Sequence, residues 1–340
     1  MHSGGGISMA GWISELRRRC ERGESVPADL ALEVLKAPAG ELPDVFASAN
    51  ALRRRFFGDR VRLCSIVNAK SGACPEDCAF CAQSARHRTE VKVYPLLGEE
   101  DLKEAARRAA ALPIDHFGVV TSGPALSPEG VRQVACAISS FPERSFNWCA
   151  SLGSVDREAL LLLKEAGLRR FHHNLETSER FFSKICSTHS FSDRLRTLRA
   201  AKEVGLEVCS GGLFGMGESL EDRVEFALTL AREKVNSIPL NFLIPIPGTP
   251  LEGLKPMRPL DILRCVAMVR FCNPQAEIKV CAGRDHLKDL MGMIFYAGAT
   301  GMMIGPLLTV AGRDVAADLQ LLEDLELSCD GEAKTRAEAD

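Results

Sequence analysis

No stretch of the 340-residue chain reaches the roughly 18 consecutive apolar residues of a membrane span, so no membrane helix is expected. The N-terminal MHSGGGISM lacks a basic region leading into an apolar run and does not read as a secretory signal. Neither sign of charge dominates. Lys and Arg number 42 against 45 Asp and Glu, a net charge of −3, which is not the footprint of a nucleic-acid binder. The short basic run Arg53-Arg54-Arg55 reads as one face of a solvated helix. Low-complexity tracts, short solenoid repeats and a P-loop pattern are all missing. Cysteine, by contrast, is plentiful. Thirteen thiols with no signal peptide point to a reducing compartment, and the cytoplasm is the expected location. Cys20, Cys136, Cys186, Cys265, Cys272 and Cys329 fall on expected helices or outside the strand pattern and read mostly as structural thiols.

Three cysteines stand together in SGACPEDCAFCAQS: Cys74, Cys78 and Cys81, with Phe80 before the last. Iron–sulfur cubes normally take four cysteine ligands. A loop offering three leaves one iron open, and an open coordination position is what separates a catalytic metal site from a structural one. Zinc is the competing reading, but zinc sites pair CxxC-like motifs or mix Cys with His. The nearest histidine, His87, lies outside the loop. The C-x₃-C-x₂-C spacing is similar to that of radical S-adenosylmethionine (SAM) enzymes. That resemblance implies a [4Fe–4S] cluster whose free iron chelates SAM and whose electron cleaves the sulfonium to a 5′-deoxyadenosyl radical.

The first ten residues are expected to be disordered, residues 11–60 helical, and residues 326–340, with their polar end from Asp330, a disordered tail. From Val61 short apolar runs alternate with amphipathic stretches. Strands are expected at 61–67, 116–122, 145–151, 171–176, 207–214, 237–244, 277–283 and 301–305, with helices such as 156–167 and 193–205 between them. Eight strands with intervening helices give an α/β fold, a (β/α)₈ TIM-type barrel over 61–325 with an N-terminal helical extension; a doubly wound open sheet is the alternative. The cysteine loop follows the first strand, at the end where such barrels carry their active sites.

Further motifs narrow the resemblance. NAKSGACPEDCAFCAQSAR, HHNLETS (172–178), VCSGG (208–212), GMGES (215–219), the 241–251 stretch ending in GTPL, and CAGR (281–284) occur in the order seen in biotin synthases. The similarity runs from about Val61 to Leu322. It implies sulfur insertion between two unactivated carbons of dethiobiotin, driven by two SAM-derived radicals in succession. It places Phe80, Asn174, Glu176, Arg194 and Gly215 at SAM, and Asn174, Asn241 and Thr309 at the substrate. It also implies a homodimer and a low-potential electron donor of flavodoxin or ferredoxin type. Asn174 and Glu176 are expected to share a strand face. Glu176 stands where the family more often has Asp. His172 and His173 read as satisfied histidines rather than metal ligands. Other small-barrel radical SAM enzymes, a hydrogenase-cofactor maturase or a methylornithine synthase, are the alternative within this class. An iron–sulfur carrier without catalysis is the alternative outside it.

The chain also departs from the pattern. Biotin synthases of the familiar kind hold a second, [2Fe–2S] cluster on three cysteines and an arginine. Two of those positions match Cys149 and Cys209, but the third falls at Gly118 and the arginine at Lys279. Cys281 lies two residues beyond Lys279, on the same face of its strand. On the expected strand order, Cys149, Cys209 and Cys281 lie on alternate strands, which share layers inside a barrel. The expectation is a different auxiliary cluster on these three thiols, of 4Fe type with one differentiated iron, a [2Fe–2S] cluster being the alternative.

Overall fold

Short β-rich runs pair only with their spatial neighbours, and here they close on themselves. The computed structural model describes residues 11–141, 145–310 and 312–329. It contains strands β1 (Arg62–Lys70), β2 (His116–Thr121), β3 (Asn147–Ser151), β4 (Arg170–His172), β5 (Glu207–Cys209), β6 (Gly212–Phe214), β7 (Ser237–Phe242), β8 (Glu277–Val280) and β9 (Gly301–Met303). All pair in parallel, in the order β5-β4-β3-β2-β1-β9-β8-β7-β6, and a β5–β7 pairing closes the barrel. β5 and β6 are two halves of one stave, so the nine strands form the eight-staved barrel expected.

The split has a steric cause. A Cβ on Gly211 would stand 1.8 Å from the Pro239 carbonyl oxygen, and one on Gly212 would stand 2.2 Å from that of Glu176. Only glycine lets the fifth stave pass so close to both neighbours. The Leu213 amide then donates to Glu176 O at 2.8 Å, above the break.

The N-terminal extension is three helices, Gly11–Glu21, Ala28–Lys36 and Leu42–Phe57. They pack around helix Pro259–Cys272. That helix is apolar on almost every side and is buried from Ile262 to Cys272, as expected of a helix covered on all faces. Phe117, Phe141, Phe146 and Trp148 form an aromatic cluster with centroids 5.3–5.8 Å apart.

Residues 1–10 and 330–340 lie outside the described residues. Residues 326–329, expected to be part of a loose tail, belong to the fold. Val61 N donates to Ser328 O at 2.7 Å, and Leu327 N to Leu322 O at 2.9 Å. The backbone at the start of β1 needs this partner, which composition alone does not reveal.

The last helix, Val315–Asp324, is held by a buried ion pair between Asp318 and Arg284, with Arg284 Nη1 2.7 Å from Asp318 Oδ1. Breaking a buried pair by removing one partner typically costs about 3–5 kcal/mol. Asp318→Ala is therefore expected to lower the denaturation midpoint by several degrees, and an Arg284→Met/Asp318→Leu double variant to recover most of the loss.

Candidate active site

A cavity of about 730 Å³ occupies the barrel, walled by strand ends and the loops beyond them. Such volumes are typical of small-molecule sites. Cys74, Cys78, Cys81 and Phe80 line it. The loop that carries them is fixed through its backbone. Cys74 N donates to Gln83 O at 3.1 Å, Ala85 N to Cys74 O at 2.7 Å, and Cys81 N to Cys78 O at 2.9 Å. The His87 ring caps the Cys81 carbonyl at 2.9 Å. The donor set is three thiols facing one space, which fits a cube with one iron free of protein. Burial pushes the Cys81 thiol up to about 11, and the hydrogen bond between Cys78 and Cys186, with burial, pushes the Cys78 thiol up. Such thiols become thiolates on taking up metal. Cys186 lies 3.8 Å from Cys78 but does not line the cavity, so it does not stand over the open side of the loop.

Beside the loop, Asn174, Glu176 and Arg194 also line the cavity. Arg194 Nη1 donates to Asn174 O at 3.0 Å and lies 3.7 Å from Glu176 Oε1. Asn174 Nδ2 donates to Glu176 Oε2 at 3.3 Å, and its Oδ1 accepts from Gly211 N. The expected shared strand is not what joins them. β4 ends at His172, and Glu176 has φ +68°, a left-handed conformation uncommon outside glycine. The turn, pinned by Gly211 O accepting from both Leu175 N and Glu176 N, aims the carboxylate into the cavity. His173 Nε2 is buried there without a partner, and His172 contacts Cys209 Sγ at 3.3 Å.

Asn241 and Thr309 line the same cavity. The Asn241 oxygen accepts from Ala282 N at 3.1 Å and its amide donates to Gly212 O at 3.2 Å, leaving one N–H for a ligand. Gly215 is the exception among the expected residues, since it does not line the cavity. Its amide serves Glu218 Oε1 at 2.8 Å, and Leu213, two residues earlier on β6, reaches the wall.

Deeper in the barrel, Cys149, Cys209 and Cys281 face the cavity, joined by a fourth thiol, Cys64 of β1, which the motifs did not single out. The four come from β1, β3, β5 and the end of β8, alternate staves of the barrel, which supply one layer of side chains. The Cys281 amide extends the ladder to Leu240 O at 2.9 Å. Inward parity on β1 is the signal that could have found Cys64. Gly118, where the family pattern has a cysteine, leaves little room for a side chain. A Cβ there would stand 3.1 Å from Ile66 Cγ2 and 3.9 Å from Cys149 Cβ.

Beneath the thiols lies a charged floor. Arg170 bridges Glu207 and Glu277, each at 2.8 Å, and Lys279 lies 3.4 Å from Glu277. Burial works against the Glu277 carboxylate, yet Lys279 and Arg170 hold it well below the usual range. Burial also opposes the Lys279 charge, which Cys64 and Glu277 sustain. Burial and Lys279 together keep His116 neutral, lowered to about 2. A hydrogen bond from Cys281 and the Lys279 charge lower the Cys64 thiol, while the Cys281 thiol rises; burial pushes Cys149 up to about 12. Lys279 is thus placed as a counter-charge to thiolates. Lys279→Met is expected to cut the iron and sulfide retained at this layer several-fold, measured by iron and sulfide analysis at equal protein concentration.

The fold and the paired thiol sets define a radical SAM enzyme. Residues 69–230 match the Radical SAM superfamily model, and residues 239–328 match the Biotin and Thiamin Synthesis associated domain. The chain is 49% identical over 307 residues to a biotin synthase of Maridesulfovibrio salexigens, covering 90% of this chain and 94% of that protein. It is 45% identical over 329 residues to a biotin synthase of Geobacter sulfurreducens, covering 95% and 100%. The chain belongs to the biotin synthase family. Among solved structures, methylornithine synthase superposes with a TM-score of 0.81 at 21% identity, over 95% of this chain and 99% of that one, a likeness of fold. Among the described residues no helix is long and apolar enough to cross a membrane.

Proposed function

We propose that the chain converts dethiobiotin to biotin, with Cys74, Cys78 and Cys81 holding the [4Fe–4S] cluster that works with SAM, and with an auxiliary 4Fe-type cluster on Cys149, Cys209 and Cys281 supplying the sulfur. Cys64 is the fourth thiol of that layer. The observation that carries this reading is the pair of thiol sets at opposite ends of one cavity, with Asn174, Glu176, Asn241 and Thr309 on the wall they share. When bound, SAM and its cluster supply a carbon-centred radical able to take hydrogen from carbons with no acidic proton, where acid–base groups near neutral pH have nothing to remove.

The protein's own residues bind and exclude. Glu176 offers a carboxylate suited to two hydroxyl donors such as a ribose diol. Arg194, held by Asn174 O and His189, presents its guanidinium beside it toward a carboxylate. Phe80 gives the loop an apolar flank. Asn241 has one free N–H for an acceptor on the substrate ring, and Thr309 closes the wall from the segment after β9. The floor of ion pairs keeps water from the thiols below the substrate. A low-potential flavodoxin or ferredoxin and a homodimeric assembly complete the reading.

The test is anaerobic turnover by reconstituted protein. Dethiobiotin, SAM and a low-potential reductant should yield biotin with 5′-deoxyadenosine; SAM cleavage with no biotin would overturn the substrate assignment. Mössbauer spectra with iron and sulfide counts should show two four-iron sites, and a [2Fe–2S] signature would exclude the proposed auxiliary cluster.

A further inference from the structure

The loop of Cys78 runs beside a second loop, Ile185 to His189, joined to it by one backbone hydrogen bond and several from side chains. Ala79 N donates to Ile185 O at 2.8 Å. Ser187 N donates to Asp77 Oδ1 at 2.9 Å, and Asp77 N to Thr188 Oγ1 at 3.2 Å. Glu76 takes hydrogen bonds from Thr188 and, at 2.6 Å, His189. Between these contacts Cys78 and Cys186 face each other, and their sulfurs are 3.8 Å apart.

A disulfide brings the two sulfurs to about 2.05 Å, so a small closure of the pair from 3.8 Å forms it. Cys186 is 6% exposed, contacts Asp77 Oδ1 at 3.2 Å and His189 Nδ1 at 3.3 Å, and does not line the cavity. The proposed turnover gives it no task.

We propose that Cys78 and Cys186 form a redox pair: when the loop has lost its cluster, a hydroperoxide joins the two in a disulfide. One sulfur of the pair attacks one peroxide oxygen, the O–O bond breaks, and a sulfenic acid and one water (or alcohol) form. The other sulfur then attacks the sulfenic sulfur, the S–O bond breaks and a second water leaves. Two electrons pass from the two sulfurs to the peroxide, and both thiol protons end in the products. A dithiol reductant reverses the bond. The disulfide keeps Cys78 from irreversible oxidation to the sulfinic acid. Its consequence for cluster loading rests on Cys78 being a cluster ligand; the bond itself does not.

The test uses the full chain stripped of iron, exposed to hydrogen peroxide, alkylated and mapped by non-reducing peptide mass spectrometry. The expected result is a Cys78–Cys186 crosslink, with Cys74 and Cys81 alkylated. Cys186→Ser should give at least fivefold more Cys78 sulfinic acid, yet reconstitute to wild-type iron content when never oxidised. Oxidised wild type should take up about four fewer irons per chain until treated with dithiol. Cys78 crosslinked to Cys74 or Cys81 instead, or equal sulfinic acid in wild type and Cys186→Ser, overturns the proposal. A confirmed crosslink with unimpaired iron uptake would count against Cys78 as a ligand, not against the disulfide.

Discussion

Cys209→Ala is expected to give a protein that still cleaves SAM but forms no detectable biotin. Cys209 sits in the deep layer with Cys64, Cys149 and Cys281, and its charge is coupled to Arg170, Lys279 and Cys64. The loop thiols Cys78 and Cys81 are coupled instead to each other, to Cys186, Cys74, Glu176 and Arg194. The two sets stand on different parts of the fold, the loop after β1 and the barrel strands, so loss of one deep thiol should leave the loop able to hold iron. Anaerobic assays should then find 5′-deoxyadenosine released at a rate within a few-fold of wild type, and biotin absent. Biotin at wild-type yield would remove the deep layer from the reaction altogether.

Cys78→Ala is expected to do the reverse. Two thiols cannot hold a cube that normally takes four ligands. The variant should bind about four fewer irons per chain than wild type. SAM cleavage should fall by at least ~10³-fold, equivalent to about 4 kcal/mol or more in the barrier. The iron left should keep the spectrum of the deep site, so the difference spectrum between the two variants separates the clusters without either being purified alone. Full SAM cleavage by Cys78→Ala would mean that another sulfur completes the site, with Cys186 the nearest candidate at 3.8 Å.

The cysteine loop was legible because its meaning is local. Three thiols within eight residues state their own geometry, and the preceding run states its own strand. Cys149, Cys209 and Cys281 were legible through barrel parity, since alternate staves share a layer. Cys64 obeys the same parity on β1 but stands in no motif, and thirteen cysteines offered many competitors. Glu176 comes to the cavity wall by an unexpected route, a left-handed turn where strand periodicity was read. Gly215 lies off the wall, its amide turned to Glu218. Cys186 resembled an ordinary buried thiol, and its partner lies 108 residues away in the chain, across a contact that only the folded barrel creates.

The layer of Arg170, Glu277 and Lys279 turns the barrel into a vessel with a single door. Its base is a set of interlocked buried charges, where the Arg170 and Lys279 side chains are 5% and 4% exposed. Under the proposed function, sulfur spent in turnover would be replaced through the same opening that admits the substrate and the sulfonium, and recharging would wait until the product has left.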